Sequence, residues 1–480
     1  MGLSTAKLRR IIAAGAGLCL CAAFPLLAQV LGAEFRAGAA RVVITPELNR
    51  HGPVYMAGFG NNRVATGVHD DLYSRCLALS VTGSQPVVLC GVDSIGLFTD
   101  DVERIRTEVR KRSAPREPNV VVASTHDHEA PDTMGLWGPA QGRSGINEAY
   151  NEFVVERVAR AAADALRHMK PATLTLAQAH PSELDLLIHD DRPPETHDAG
   201  VIVMRLTDRH GNTIATLVNW ANHPETLGSK NTLITADYPH YLCTQLEQSL
   251  DGVAVFLNGA VGGMQSPLGA EVTNPLTGKP SPDNSFYKAE LIGRRVADIA
   301  ASAIRNGEKA KADRIEFHEQ KIEIPIANKG FQLAAQADLY KGCKKTTATG
   351  ATTTPVGFVR ISAGGSVELE IALVPGELYP ELSVGGIQRY PGADFPDSPM
   401  EPAIKKLMSA QYRMLVGLAD DEIGYIIPKA EWDEKPPYLQ NATKEWYGEV
   451  NSVGPEAAPR IVSALEQMLK PGAAPAKDAH

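Results

Sequence analysis

The sequence predicts an α/β fold from two observations. Short β-branched runs alternate with longer helical patterns, and several apolar runs end directly in side chains capable of chemistry. The strand-like runs are VVITP (42–46), QPVVLCGVD (85–93), NVVVAS (119–124), IATLVNW (214–220), VAVFLNG (253–259) and VELEIALVP (367–375). Most are continuously apolar rather than alternating, the pattern of strands buried on both faces. Between them, helical periodicity marks 101–113, 148–168, 237–249, 287–306 and 456–469. Pro/Gly/Asn-rich stretches at 267–285 and 389–402 and a Thr-rich stretch at 342–355 read as surface loops within one large domain rather than as linkers, and no internal repeat is found.

The chain opens with Lys7, Arg9 and Arg10 ahead of an apolar run from Ile11 to Ala28, followed by the small residues Gly32 and Ala33. That is the layout of a secretory signal peptide, so residues 1–33 are expected to be a cleaved leader and the protein exported, to the periplasm or the extracellular space. Residues 34–470 are then expected to form the one large domain, and 471–480 (PGAAPAKDAH) a disordered tail that buries too little area to offset its ordering entropy. With 44% hydrophobic and 21% charged residues the chain is an ordinary globular protein. A net charge of −9 and the lack of a basic stripe exclude nucleic acid as a partner. Cys76, Cys90, Cys243 and Cys343 are widely spaced, with no CxxC to hold zinc; export permits a disulfide whose pairing the sequence does not give, while Cys76 and Cys90 sit in strand-like runs where a buried free thiol is the commoner reading.

Five apolar runs are followed at once by residues of chemical interest: Asp93, His126 with His128, His223, Ser266 after a glycine turn, and Glu377. In open α/β sheets ligands bind beyond the carboxyl ends of the strands, so these residues are expected to share one site. In THDH, two imidazoles at i and i+2 project from the same side of an extended segment and can meet one metal. His223 and the carboxylate of Glu377, after VPG, would complete a His₂Glu set of the kind zinc favours. Asp93 reads as a helix cap or as a partner steadying an imidazole. The run NGAVGGMQSP (258–267) offers backbone N–H groups for an anion before Ser266, but is neither a phosphate loop nor a nucleophile elbow.

These segments, in this order, resemble the catalytic domain of the neutral/alkaline (non-lysosomal) ceramidases. AGAARVVITP resembles the family's G-x-A-x-x-D-I-T-P opening, and MAGFG follows it. STHDHEAP is similar to S-x-T-H-T-H-S-G-P, DDRPPETHD to the N-R-S-P segment, NWANHPETLG to the strand ending V-H-G-T, and TADYPHYL to G-D-N-x-G-Y-A. NGAVGGMQSP resembles N-x-G-D-V-S-P, VPGEL resembles V-P-G-E-F, and DEIGYIIPKAEW with NSVGP looks like the closing Y-x-x-Y-I-T-x-x-E-Y and S-T-x-x-G-P run. The likeness spans roughly 36–470.

The resemblance implies layered mixed β-sheets flanked by helices, and a zinc-dependent amidohydrolase that cleaves the N-acyl amide of ceramide or a similar lipid. It implies zinc ligands at His126, His223, Glu377 and Tyr425, with His128 as acid/base, Arg192 on the substrate or developing anion, and Ser266 at the family's serine position. Zinc-hydroxide and serine attack both stay open, as do manganese or iron in place of zinc. A lipid-like or small-molecule amide is the expected partner, with transient contact at a membrane surface; the oligomeric state is not legible.

The chain departs from the family at several points. Glu129, Ala130 and Asp132 replace the serine and glycines after the second histidine, and are expected to add negative charge at the mouth of the site. Met264 stands where the family has aspartate, Pro224-Glu225 replaces Gly-Thr after His223, and a C-terminal β-sandwich is expected to be lacking. These departures motivate two rivals: a metal-dependent esterase, lactonase or amidase on a non-sphingolipid substrate, and a secreted protein that keeps the fold without catalysis.

Overall fold

The structure, a computed structural model, describes residues 34–48, 50, 52–193, 195–336 and 350–470. The expected leader and tail, and residues 342–349 of the Thr-rich stretch, lie outside the described residues. Nine strands form the larger sheet: β1 (Phe35–Val43), β3 (Tyr73–Val81), β4 (Val87–Val92), β5 (Asn119–Ser124), β6 (Lys170–Ala179), β7 (Val201–Asp208), β8 (Thr213–Trp220), β10 (Val253–Asn258) and β11 (Glu308–Ala310). Their order is β10-β8-β7-β6-β1-β3-β4-β5, with β11 pairing to β6. Both ends of this sheet are parallel (β10 with β8, β4 with β5) while the middle is antiparallel. A second sheet runs β12 (Arg314–Pro325), β13 (Ala351–Ala363), β14 (Ser366–Leu373) and β16 (Tyr412–Val416), the last pair parallel. Two short parallel ladders, β2 (Gly67–Val68) with β9 (Leu233–Ile234) and β15 (Glu377–Leu378) with β17 (Tyr425–Ile426), complete the strands described.

The sheets stack face to face, and period-two alternation decides which residues fill which layer. In β3, Leu77 and Leu79 point into the core shared with Val359, Ile361, Ile371 and Met414 of the second sheet. Cys76 and Ala78, one residue out of phase, face the helices Thr99–Ser113 and Glu148–Arg167. The helices Asp237–Leu250 and Phe286–Arg305 cover β7, β8 and β10 in the same way, and Ala457–Leu469 covers the second sheet. The result is helix, sheet, sheet, helix, and it explains why strands with apolar side chains on both faces read as continuous runs. Two helix starts are capped as their sequences ask: Asn147 accepts from the N–H of Tyr150, and Ser285 from that of Lys288.

Two expectations are corrected. Cys76 and Cys90 are not free thiols; they are register partners in β3 and β4 and form a disulfide, while Cys243 is a buried free thiol. The Thr-rich stretch is not loop throughout, because β13 begins at Ala351 and the Thr354 hydroxyl is buried against Asp421. Among the described residues no helix is long and apolar enough to cross a membrane.

Candidate metal centre

The larger sheet curls until its edges meet. Gly91 of β4 has room for no side chain, since a Cβ there would lie 2.4 Å from the Phe256 carbonyl oxygen of β10. Where the edges touch, the Asn258 amide Nδ2 donates to the carbonyls of Thr125 (2.8 Å) and Asn222 (2.9 Å). Its Oδ1 accepts from the N–H groups of Asn222 and Gly259. One side chain thus ties together the three loops that leave β5, β8 and β10, and those loops carry His126, His223 and Ser266.

His126 follows β5 in the left-handed region at φ 67, a conformation uncommon for a non-glycine residue and concentrated at functional sites. Its Nδ1 donates to the Ile95 carbonyl at 2.7 Å, and the Nδ1 of His223 donates to the Gln265 carbonyl at 2.7 Å. A carbonyl can only accept, so both rings carry a proton on Nδ1 and turn Nε2 inward, free to meet a metal or a second proton. Those two nitrogens converge on one oxygen, Glu377 Oε2, at 3.3 Å from His126 and 3.1 Å from His223. Burial alone would raise the Glu377 carboxyl, but the His126 and His223 imidazoles reverse that and hold it at about 2.

His128 packs against the same pair, with ring centroids 4.9 Å from His126 and 5.3 Å from His223. Ligand atoms of the three histidines lie within 4.8 Å of one another. Burial, then the neighbouring His126, His223 and Arg63, drive the His128 pKa well below its usual value. Gly58 makes the close approach possible, since a Cβ at that position (φ 93) would lie 2.4 Å from the His128 ring.

Tyr425 is the register partner of Glu377 in the β15/β17 ladder, so the two side chains leave the backbone side by side. Its hydroxyl donates to the Met264 sulfur at 2.9 Å, and burial followed by the charge of Glu377 raises its pKa well above 10. Beyond it opens a cleft of about 450 Å³ lined by Arg192, Met264, Tyr379, Trp446 and Tyr447. Arg192 is in place at the cleft wall, but its guanidinium is engaged by the Glu449 carboxylate at 2.7 Å and the Glu431 carbonyl at 2.7 Å, and it lies over the Trp446 ring.

Three expectations about the surroundings change, and one residue joins them. Asp93 is buried by the sheet but steadies no imidazole; its carboxylate accepts from the Tyr73 N–H, and the Ile95 carbonyl orients His126 instead. Glu129 and Asp132 do not charge the mouth of the site. Glu129 is fully buried and paired with Arg63 at 3.2 Å, while Asp132 accepts from the N–H groups of Met134, Gly135 and Trp137. The glycine run is not an open anion nest from its first residue, because Gly259 donates to the Trp220 carbonyl. Glu225, noted only as a departure, is the residue that sequence reasoning missed: it accepts the Ser266 hydroxyl and approaches His128 Nδ1.

No protein-family profile matches the chain. Among solved structures it is similar to the neutral ceramidase from Pseudomonas aeruginosa, at a TM-score of 0.69 and 16% identity over 91% of this chain and 74% of that one. A ceramidase solved in complex with C2 gives a TM-score of 0.69 at 15% identity over 91% and 75%. The chain therefore has the neutral ceramidase fold, in a form far diverged in sequence.

Proposed function

We propose that this chain, with the neutral ceramidase fold and a buried cluster of three histidines, is an exported zinc-dependent hydrolase that cleaves the N-acyl amide bond of ceramide or a similar N-acyl lipid. The observation that carries the reading is the convergence of His126 Nε2 and His223 Nε2 on Glu377 Oε2. Two imidazoles, each fixed through Nδ1 by a carbonyl with Nε2 facing one carboxylate, are the donor set and outer partners zinc uses. The fit is supported by His128, whose Nε2 is buried without a hydrogen-bond partner, an arrangement that costs free energy unless something else engages it. Tyr425, the register partner of Glu377, would supply the fourth ligand.

Zinc held there would polarise the amide carbonyl and lower the pKa of a bound water. The protein's own groups do the rest. His128 is neutral at pH 7 and so able to accept a proton, which it would then deliver to the leaving amine. Tyr379, Trp446 and Tyr447 give the cleft an apolar wall for a lipid chain, and Arg192, its charge tied to Glu449, orients the polar end of the substrate from a fixed position. The Ser266 hydroxyl, donating to Glu225, supports a serine nucleophile as the second route. An acidic mouth was one motive for a non-lipid substrate, and the burial of Glu129 and Asp132 removes that one.

Export is part of the proposal, supported by the Lys/Arg-led apolar run at the N-terminus and by the Cys76–Cys90 disulfide, which forms in oxidising compartments. The test is release of fatty acid from a fluorescent N-acyl-sphingosine with and without chelator. Release that stops on chelation and returns with zinc supports the reading. Turnover unaffected by chelator, or confined to soluble esters, overturns it.

A further inference from the structure

We propose that Glu225 is a positioning residue that sets the tautomer of His128 and the orientation of Ser266 around the centre. The catalytic part of this inference rests on the hydrolase reading above; the structural part does not. Glu225 is 1% exposed and follows His223 by two residues, so its backbone is anchored where the histidine is. Its Oε1 accepts the Ser266 hydroxyl, which itself accepts from the Leu268 N–H at 3.0 Å. Its Oε2 lies 3.2 Å from His128 Nδ1, as a close contact short of an aligned hydrogen bond. The His128 backbone is held to the same loop, its N–H donating to the Pro224 carbonyl at 3.0 Å.

The chemistry follows from what a carboxylate can do. Glu225 accepts from Ser266 through Oε1, and with Oε2 accepting likewise the His128 nitrogen facing it carries the proton, leaving Nε2 unprotonated. The Ile95 and Gln265 carbonyls impose the same Nδ1–H form on His126 and His223. Glu225 thus gives His128 the Nδ1–H form that the two carbonyls give its neighbours, and at the same time places the serine oxygen. Gly58 and the edge-on ring of Phe59, 5.2 Å away, leave His128 little freedom to turn out of this position.

The experiment compares wild type with Glu225→Gln. The amide can still accept from Ser266, but it presents N–H donors to His128 Nδ1 and so reverses the tautomer with little change in volume. Long-range ¹H–¹⁵N correlations in histidine-labelled protein, with His128→Ala assigning the signal, should show His128 as Nδ1–H in wild type and Nε2–H in the variant. Metal content and Tm should be preserved, with kcat down about 10–100-fold and KM little changed. A wild-type His128 in the Nε2–H form overturns the proposal without requiring the variant to fold. A variant with kcat unchanged also overturns it. Wild type without amide turnover would instead sink the hydrolase reading, and the tautomer measurement would still decide the role of Glu225.

Discussion

Asn258 grips Asn222 from both sides, donating to its carbonyl at 2.9 Å and accepting from its N–H at 3.2 Å. Through the same amide it holds the Thr125 carbonyl, so the neighbours of His126 and His223 are fixed to one residue at the curled edge of the sheet. Asn258→Ala is expected to weaken zinc binding about 10–100-fold in a chelator competition, as loss of an outer partner does. The effect on Tm should be modest when metal is saturating, because bound metal stabilises the native state.

Arg63 and Glu129 form a buried ion pair behind His128, and Arg63 also donates to the carbonyls of Ala57 and His128. Removing one partner leaves the other charge buried, so Glu129→Leu should cost about 3–5 kcal/mol in urea denaturation. The double variant Arg63→Met/Glu129→Leu should recover part of that loss. Additive losses would show that the two side chains do not act as a pair.

Asp93 supplies a pH signature. Burial raises its carboxyl to about 7, against the opposing pull of Arg75 and the Tyr73 N–H. Between the unfolded value, about 3.9, and the folded one, the native state binds the extra proton, so this residue's contribution to stability is present at low pH and lost as pH rises toward 7. Asp93→Asn should abolish that slope. Calorimetry from pH 4 to 8 should show the variant gaining on wild type as pH rises; parallel profiles would contradict the assignment.

Cys76 and Cys90 join adjacent strands across 14 residues. Cys76→Ala/Cys90→Ala should lower the unfolding free energy by about 3 kcal/mol, the loop-closure contribution for a ring of this size. Alkylation of the denatured, unreduced protein followed by peptide mapping should leave both residues unmodified and label Cys243.

How much of this was legible follows from where each partner lies. His126, His223 and Glu377 were readable because each stands just past an apolar strand, and side chains at strand ends collect on one edge. The helices were readable from their amphipathic spacing. Glu225 was not, because its partners Ser266 and His128 are 41 and 97 residues away and meet it only through the curl of the sheet. Glu129 and Asp132 read as exposed charge for the same reason: Arg63 lies 66 residues upstream, and the turn that satisfies Asp132 has no strong pattern. The disulfide could have been found. A short turn after Val81 pairs Leu79 with Val87, and that register sets Cys76 opposite Cys90.

The most direct test of the account is the zinc content of purified wild type, His126→Ala and His223→Ala after dialysis against buffered zinc, measured by mass spectrometry on the same samples used for activity. The account predicts about one zinc per wild-type chain, and little zinc and no amide hydrolysis in either variant although both remain folded. Zinc retained in full by the variants, or none in wild type, would contradict it.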